Sequence, residues 1–163
     1  MRYSTRIGHG FDIHRFEEGK PLMLGGMHIP YPQGMKGHSD GDVVLHAICD
    51  ALLGALALGD IGQHFSDQDA QYKNMDSRVF LKHVYGLIKA KGFVLGNLDV
   101  TVLAEQPKLA PYISEMRKVI AEDIGVEEAQ VSVKATTMEK MDAVGEGLAI
   151  SAHAVVLLYK NAV

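Results

Sequence analysis

Residues 38–58 read HSDGDVVLHAICDALLGALAL, and this stretch decides what kind of fold the chain can adopt. Ser39 stands three residues before Asp42, a capping-box-like start, and the apolar run behind it predicts a helix to about Leu58. Such a helix is apolar almost all round, so it must lie against another layer. Its polar exceptions, Asp42, His46 and Asp50, recur every four residues and form one stripe. A buried charged stripe is unfavourable unless it is paired or metal-bound, so something opposite has to answer it.

The stretch Gly8–His14, GHGFDIH, is a candidate for that answer. Residues Thr5–His14 read as a strand, and Asp12 and His14, two apart, point the same way. With His38 and His46 they offer one carboxylate and two or more imidazoles that a strand and a helix can aim at one point. Three nitrogen or oxygen ligands with a fourth position open is how proteins hold catalytic zinc. Asp50, one turn beyond His46, is placed to orient the imidazole from behind. A single histidine on an apolar helix is more often a hydrogen-bonded core residue; the joint occurrence of these groups favours a metal-dependent enzyme.

The bulk properties agree with an ordinary enzyme domain. At 163 residues the chain is expected to form one domain, residues 1–163, with a core of its own. Net charge is −4 with acidic and basic residues interspersed, which supplies no clustered basic face for nucleic acid. A small phosphorylated substrate is not excluded. The single cysteine, Cys49, rules out an internal disulfide and a multi-cysteine zinc site. The first residues have no apolar stretch behind them, and the run within Val43–Leu58 is too short to span a bilayer, so no membrane association and a cytoplasmic location are expected.

Along the rest of the chain, Leu22–Ile29 reads as the hairpin partner of the first strand. Residues 30–37, with two prolines and two glycines, read as loop, and Gly59–Met75 as a polar loop rich in aspartate. A second helix is expected from Asp76 or Ser77 to Gly92, and a third from Pro111 to Gly125. Leu98–Ala104, Val131–Thr136 and Leu148–Tyr159 read as strands, the last apolar on both faces and so expected to be buried. The order β-β-α-α-β-α-β-β predicts an α/β (α+β) domain with helices packed on one sheet.

Three further stretches carry weaker chemistry. Gly59-Asp60-Ile61-Gly62 followed by Phe65-Ser66-Asp67-Gln68-Asp69 could bind sugar hydroxyls or a cation, or be a solvated acidic turn. Ala135-Thr136-Thr137-Met138-Glu139 offers hydroxyls, N–H groups and a carboxylate suited to phosphate plus a cation, or is an ordinary strand end. Pro107-Lys108-Leu109-Ala110-Pro111, before a helix, could wrap a base or phosphate, or be a stiff loop.

Taken in order, the stretches RIGHGFDIH, GHSDGDVVLHAICDALLGALALGDIG, DSR at Asp76, AEQPKLAP and VKATTMEK resemble the 2-C-methyl-D-erythritol 2,4-cyclodiphosphate synthase family. The resemblance runs from Arg6 to Lys140. It implies ferredoxin-like subunits in a homotrimer, with active sites at the subunit interfaces. It implies conversion of 4-diphosphocytidyl-2-C-methyl-D-erythritol 2-phosphate into the cyclic diphosphate and CMP, in non-mevalonate isoprenoid biosynthesis. By position, Asp12, His14 and His46 match zinc ligands, with a substrate phosphate oxygen in the fourth place. His38 and Ser39 match contacts to the phosphate and erythritol part. Asp60 and Gly62 match the ribose contacts, Ile61 between them is a further substrate-binding residue, and Phe65, Asp67 and Asp69 match the erythritol pocket. Ala104, Pro107, Lys108, Leu109 and Ala110 match a cytosine cradle supplied by the neighbouring subunit. Thr136 and Thr137 match diphosphate contacts, with Glu139 on a magnesium or manganese ion; His38 and Thr137 would also act in catalysis. The chain departs from the family at Met141–Val144, which lacks the usual aromatic residue and arginine. Two other readings of the same residues are a mononuclear zinc hydrolase of a phosphorylated or amide substrate, and a non-catalytic zinc- or nucleotide-binding protein.

Overall fold

A computed structural model describes residues 4–161. Residues 1–3 and 162–163 of the expected single domain lie outside the described residues. The chain runs β1 (Thr5–Glu18), β2 (Leu22–Leu24), β3 (Met27–Ile29), β4 (Gln33–Met35), α1 (Val43–Ala55), α2 (Ile61–His64), α3 (Ser77–Ala90), β5 (Phe93–Leu103), α4 (Ile113–Ile124), β6 (Val131–Thr136), α5 (Asp142–Gly145) and β7 (Ala149–Lys160). Five strands form one sheet in the order β4-β1-β7-β5-β6, with β5 and β6 parallel and the other pairs antiparallel. The fold is therefore mixed α/β, with α1 packed on one face of the sheet and the short α5 beside Phe11, Ile13 and His153 on the other. No helix among the described residues is long and apolar enough to cross a membrane.

What brings α1 onto the sheet is the pair of glycines in the GHGFDIH stretch. A Cβ on Gly8 would lie 1.9 Å from the Ala51 carbonyl oxygen, and one on Gly10 would lie 1.9 Å from that of Ala47. Bare backbone on β1 thus meets a row of alanines on α1, and the two elements touch main chain to main chain. Period-2 geometry carries the same face of β1 on to Asp12 and His14. The glycines bring the helix close, and the next two inward positions carry the polar groups that meet His46. The rest of α1 disappears into the core: every residue from Val43 to Cys49 is buried.

Several boundaries differ from the sequence reading, each for a local reason. The N-cap of α1 is Asp42, not Ser39; its carboxylate accepts the N–H groups of Val44 and Leu45 at 3.1 and 3.0 Å. The helix ends at Ala55, where Ala57 turns left-handed (φ 55°) and the Leu58 N–H folds back to the Leu53 carbonyl. Leu22–Ile29 does not pair with β1. It closes on itself as the β2–β3 hairpin around Gly25 and Gly26, whose φ values are 62° and 78°. The partner of the end of β1 is instead β4, within the expected loop, with Phe16 opposite Met35. Gly59–Met75 holds α2 and a 3₁₀ turn, Ala70–Tyr72. Pro111 lies in a 3₁₀ turn ahead of α4, which closes at left-handed Gly125 as expected.

Strand β7 is central, and beyond Ser151 only one of its faces is buried. Ile150, Ala152, Ala154, Val156 and Leu158 point into the core, while His153 and Val155 are exposed. The exposed row continues across β1 through Ile7, Phe11 and Ile13, an apolar sheet face that only the short α5 approaches, at the Ser151 end.

Candidate active site

Asp12, His14 and His46 converge. Asp12 Oδ2 lies 3.0 Å from His14 Nε2 and 2.9 Å from His46 Nδ1, and all three ligand atoms lie within 4.8 Å of one another. Tetrahedral zinc with bonds of roughly 2.0–2.1 Å to nitrogen and oxygen would need its ligands about 3.3 Å apart, so the donor set and its spacing fit such an ion. No fourth side chain completes the set among the described residues, and the trio faces a cavity of about 390 Å³.

Each imidazole is held from behind. The outer nitrogen of His14, Nδ1, donates to the Lys36 carbonyl at 2.6 Å. Lys36 follows β4 and donates its own N–H to the Arg15 carbonyl at 2.7 Å, so the short strand missed in the sequence fixes this ring. The outer nitrogen of His46, Nε2, faces the hydroxyls of Ser77 at 2.8 Å and Ser39 at 3.2 Å. Burial works against the Asp12 carboxylate, but the hydrogen bonds and charges of His14 and His46 more than reverse it and hold the group well below the usual carboxylate range. For His14, burial disfavours the proton, and the Asp12 carboxylate outweighs it and raises the imidazole.

The polar stripe on α1 therefore divides three ways. Asp42 takes N–H groups of Gly25 and Gly26 at 3.0 and 2.7 Å as well as its own helix start, so it is a structural cap. Only His46 turns to Asp12. Asp50 does not orient His46 by a hydrogen bond, as the sequence reading expected; its Oδ1 accepts the Ile61 N–H at 2.7 Å and fastens the start of α2. Burial, with the nearby Asp60 and Asp12 charges, raises the Asp50 carboxyl against that single donor.

The cavity is lined by His38, Ser39, Asp50, Ile61, Gly62, Phe65 and Asp67 together with the three convergent residues. Tyr72 and Phe80, which the sequence reading did not single out, complete the wall. Phe65 stacks on Phe80 with ring centroids 4.4 Å apart and meets Tyr72 edge-on at 5.5 Å, which docks the expected loop on α3. His38 Nε2 lies 3.0 Å from the Asp69 carbonyl and ties the same loop to the approach to α1. Asp60 and Asp69 stand outside the lining. Asp60 caps α2 through the Gln63 N–H, and Asp69 caps the 3₁₀ turn through the Gln71 N–H.

The second expected group does not reach this cavity within the chain. Asp12, Ala152, Val102 and Ala135 lie side by side across β1, β7, β5 and β6, which puts Thr136 about 14 Å across the sheet at ordinary strand spacing. There Thr136, Thr137 and Glu139 are exposed, close to the Ala104–Ala110 segment: the Ala104 N–H donates to the Thr136 carbonyl at 3.0 Å. Ala104 and Leu109 are themselves buried, whereas Pro107, Lys108 and Ala110 are accessible. Glu139 and Lys140 have positive φ, 52° and 62°, which non-glycine residues adopt only when held. What holds them is Glu105, whose Oε1 accepts the N–H groups of Met138 at 2.9 Å and Lys140 at 3.2 Å. Glu105 stands in the quoted AEQPKLAP stretch, where the sequence reading gave it no role.

Comparison with known proteins agrees with this architecture. A protein of Shewanella oneidensis named 2-C-methyl-D-erythritol 2,4-cyclodiphosphate synthase is 60% identical over 156 residues, covering 96% of this chain and 98% of its own. The enzyme of that name from Shewanella sediminis is 57% identical over 159 residues, covering 98% and 99%. Among solved structures, the bifunctional IspDF from Campylobacter jejuni superposes with a TM-score of 0.94 at 40% identity, over 98% of this chain and 43% of that one. The Plasmodium falciparum IspF–CDP complex superposes at 0.86 with 37% identity, over 99% and 100%. The model of the YgbB family matches residues 5–159, and the chain belongs to that family.

Proposed function

We propose that the chain carries out the reaction for which its relatives are named. It is an enzyme, a phosphorus–oxygen lyase of the non-mevalonate isoprenoid pathway. It forms 2-C-methyl-D-erythritol 2,4-cyclodiphosphate and CMP from 4-diphosphocytidyl-2-C-methyl-D-erythritol 2-phosphate. The observation that carries the reading at the level of residues is the convergence of Asp12, His14 and His46 on one point of a cavity.

The finer assignments are ours. Asp12, His14 and His46 hold zinc, and Glu139 holds magnesium or manganese; when bound, these ions neutralise charge on the diphosphate. The substrate brings its own nucleophile, a 2-phosphate oxygen that attacks the β-phosphorus and expels CMP. A phosphate is already ionised at neutral pH, so no protein group has to remove a proton from it. The chain's task is to fold the substrate back on itself, and such ring closures gain up to about 7–11 kcal/mol from orientation. His38 and Ser39 line the cavity and are placed to orient the phosphate and erythritol portion, with Ile61, Gly62, Phe65 and Asp67 forming the rest of its pocket. Asp60 and Asp69 act on the ribose and erythritol parts through the short helical turns that they cap. Thr136 and Thr137 donate to the diphosphate, and Ala104, Pro107, Lys108, Leu109 and Ala110 cradle cytosine.

These two groups of residues meet only if one copy supplies each. We therefore assign the chain to a homotrimer of ferredoxin-like subunits with interfacial sites. The exposed sheet face supports this: Ile7 is 71% exposed, and Phe11, Ile13, Val155 and Tyr159 are exposed with it. Apolar patches of that kind mark association surfaces. Residues 1–163 are read as one synthase domain acting in the cytoplasm. Incubation with the diphosphocytidyl substrate, zinc and magnesium should release CMP together with the cyclic diphosphate. CMP accompanied by a linear product would instead make the protein a zinc hydrolase.

A further inference from the structure

His46 is buried, and hydrogen bonds face both of its ring nitrogens. Nδ1 points at Asp12 and the convergence point, and Nε2 points away at Ser77, 2.8 Å off, with Ser39 farther at 3.2 Å. Ser77 is the first residue of α3 and is wholly buried. Its hydroxyl also meets Asp40 Oδ1, and its backbone N–H donates to Asp40 Oδ2 at 3.0 Å. Asp40 takes a further N–H, that of Asp42, at 3.1 Å. Backbone bonds clamp the two segments together: the Asp40 N–H donates to the Met75 carbonyl at 3.1 Å, and the Asn74 N–H to the His38 carbonyl at 2.8 Å.

The hydrogens in this chain can be assigned by elimination. A carboxylate at neutral pH only accepts, so the one hydrogen of the Ser77 hydroxyl goes to Asp40. The Ser77 oxygen, nearer to Nε2 at 2.8 Å than the Ser39 hydroxyl at 3.2 Å, is then an acceptor for His46 and calls for a hydrogen on Nε2. On its other side Nδ1 faces Asp12 Oδ2, also an acceptor, so without a cation the two acceptors compete for the hydrogen of the neutral ring. A cation held by Asp12 would take the Nδ1 lone pair, and Ser77 accepts the hydrogen left on Nε2. His14 is held in the opposite tautomer, with hydrogen on Nδ1 for the Lys36 carbonyl and the lone pair on Nε2. One ring is set by a backbone carbonyl that side-chain replacement cannot remove. The other is set by two side chains.

We propose that Asp40 and Ser77 are positioning residues, a carboxylate–hydroxyl relay that fixes the tautomer and orientation of His46 for the metal. Neither residue lines the cavity, so neither touches the substrate. The proposal rests on the reading of Asp12, His14 and His46 as ligands. Partners behind ligating histidines are typically worth about 10–100-fold in metal affinity.

The test has two readouts. In metal-free Asp12→Ala protein labelled with ¹⁵N-histidine, which lacks the competing acceptor at Nδ1, His46 at alkaline pH should show a protonated Nε2 and a bare Nδ1. Ser77→Ala added to that background should shift the ring toward a mixture of tautomers, and Ser77→Ala alone should weaken zinc about 10–100-fold in chelator competition. The KM for substrate should stay unchanged once zinc is saturating. Ser77→Thr, which keeps the hydroxyl, should restore both signals. Asp40→Asn, which can donate to the Ser77 oxygen and reverse the hydroxyl, should weaken zinc as Ser77→Ala does. A His46 protonated at Nδ1 in the Asp12→Ala protein, or a tautomer and zinc affinity that folded Ser77→Ala variants leave unchanged, would overturn the relay. Failure of the wild type to bind zinc would overturn the ligand assignment instead, while the tautomer in the metal-free Asp12→Ala protein would still decide the relay.

Discussion

The two halves of the proposed site are built in opposite ways. Around Asp12, His14 and His46 every ring nitrogen and carboxylate oxygen used has a partner supplied by the same chain, from β4, α1, α3 and the loop before α1. Around Thr136, Thr137 and Glu139 the side chains are exposed, and their partners lie within the same short turn. A cation site tolerates little displacement, so its ligands are best fixed before anything binds. A diphosphate grip is finished by the substrate and, in our reading, by a second copy. The difference predicts that mutations in the first half act on metal binding, and those in the second on substrate binding.

The largest effect is expected at His46→Ala, which should abolish turnover and strongly weaken zinc binding while the protein stays folded, as judged by chelator competition, CMP release and circular dichroism. Glu139→Ala should also lose turnover but keep its zinc. If the halves belong to different copies, mixing the two inactive variants and allowing subunits to exchange should restore activity that neither has alone. Continued inactivity of exchanged mixtures would place both halves in one copy.

Gly10→Ala should come next. Its Cβ would fall 1.9 Å from the Ala47 carbonyl oxygen, a main-chain atom that can yield only if α1 moves. We expect a loss of about 1–3 kcal/mol or more in denaturant melts, with weakened zinc binding although no ligand is altered. Normal zinc affinity in that variant would separate helix placement from the metal site.

Glu105→Ala is expected to be milder. It frees the N–H groups of Met138 and Lys140 and loosens the left-handed turn that presents Glu139. A fall in kcat/KM of about tenfold, equivalent to roughly 1.4 kcal/mol, should appear without change in zinc affinity.

The smallest effect is in pH dependence. In the metal-free protein Asp12 raises His14 above the usual imidazole value of 6.5. The His14–Asp12 pair therefore contributes stability that is complete below the unfolded imidazole value and is lost as pH rises through the raised one. Zinc competes with the proton for His14 Nε2, so zinc's stabilising increment should grow over the same window. Thermal melts of metal-free and zinc-loaded protein across pH would read both trends. A flat zinc increment would remove His14 from the ligand set.

Much of the first half was legible in the sequence, because it follows from local periodicity. Asp12 and His14 share a strand face, and His46 interrupts an apolar helix. Asp50 misled because a residue four positions from His46 lies on the same helix face, yet its carboxylate found the nearer Ile61 N–H. Ser39 misled because its hydroxyl, a plausible helix cap, turns to His46 and leaves capping to Asp42. The β2–β3 hairpin closed locally at Gly25 and Gly26, although a partner for β1 was expected there. Glu105 and Ser77 lie in the quoted stretches AEQPKLAP and DSR, yet their roles were not legible there. They act 33 and 31 residues away from the groups they hold, and no local spacing gives those pairings.

By itself, then, the sequence determined the family, the apolar helix and the three residues that meet, since spacing along one element dictates which side chains share a face. Only the tertiary structure decided which atoms those residues present. Which lone pair each histidine turns inward depends on an acceptor that packing brings from elsewhere: the Lys36 carbonyl through β4, and the Ser77 hydroxyl through α3. Hydrogen bonding is directional and local in space, so its outcome waits on the long-range contacts that periodicity cannot specify.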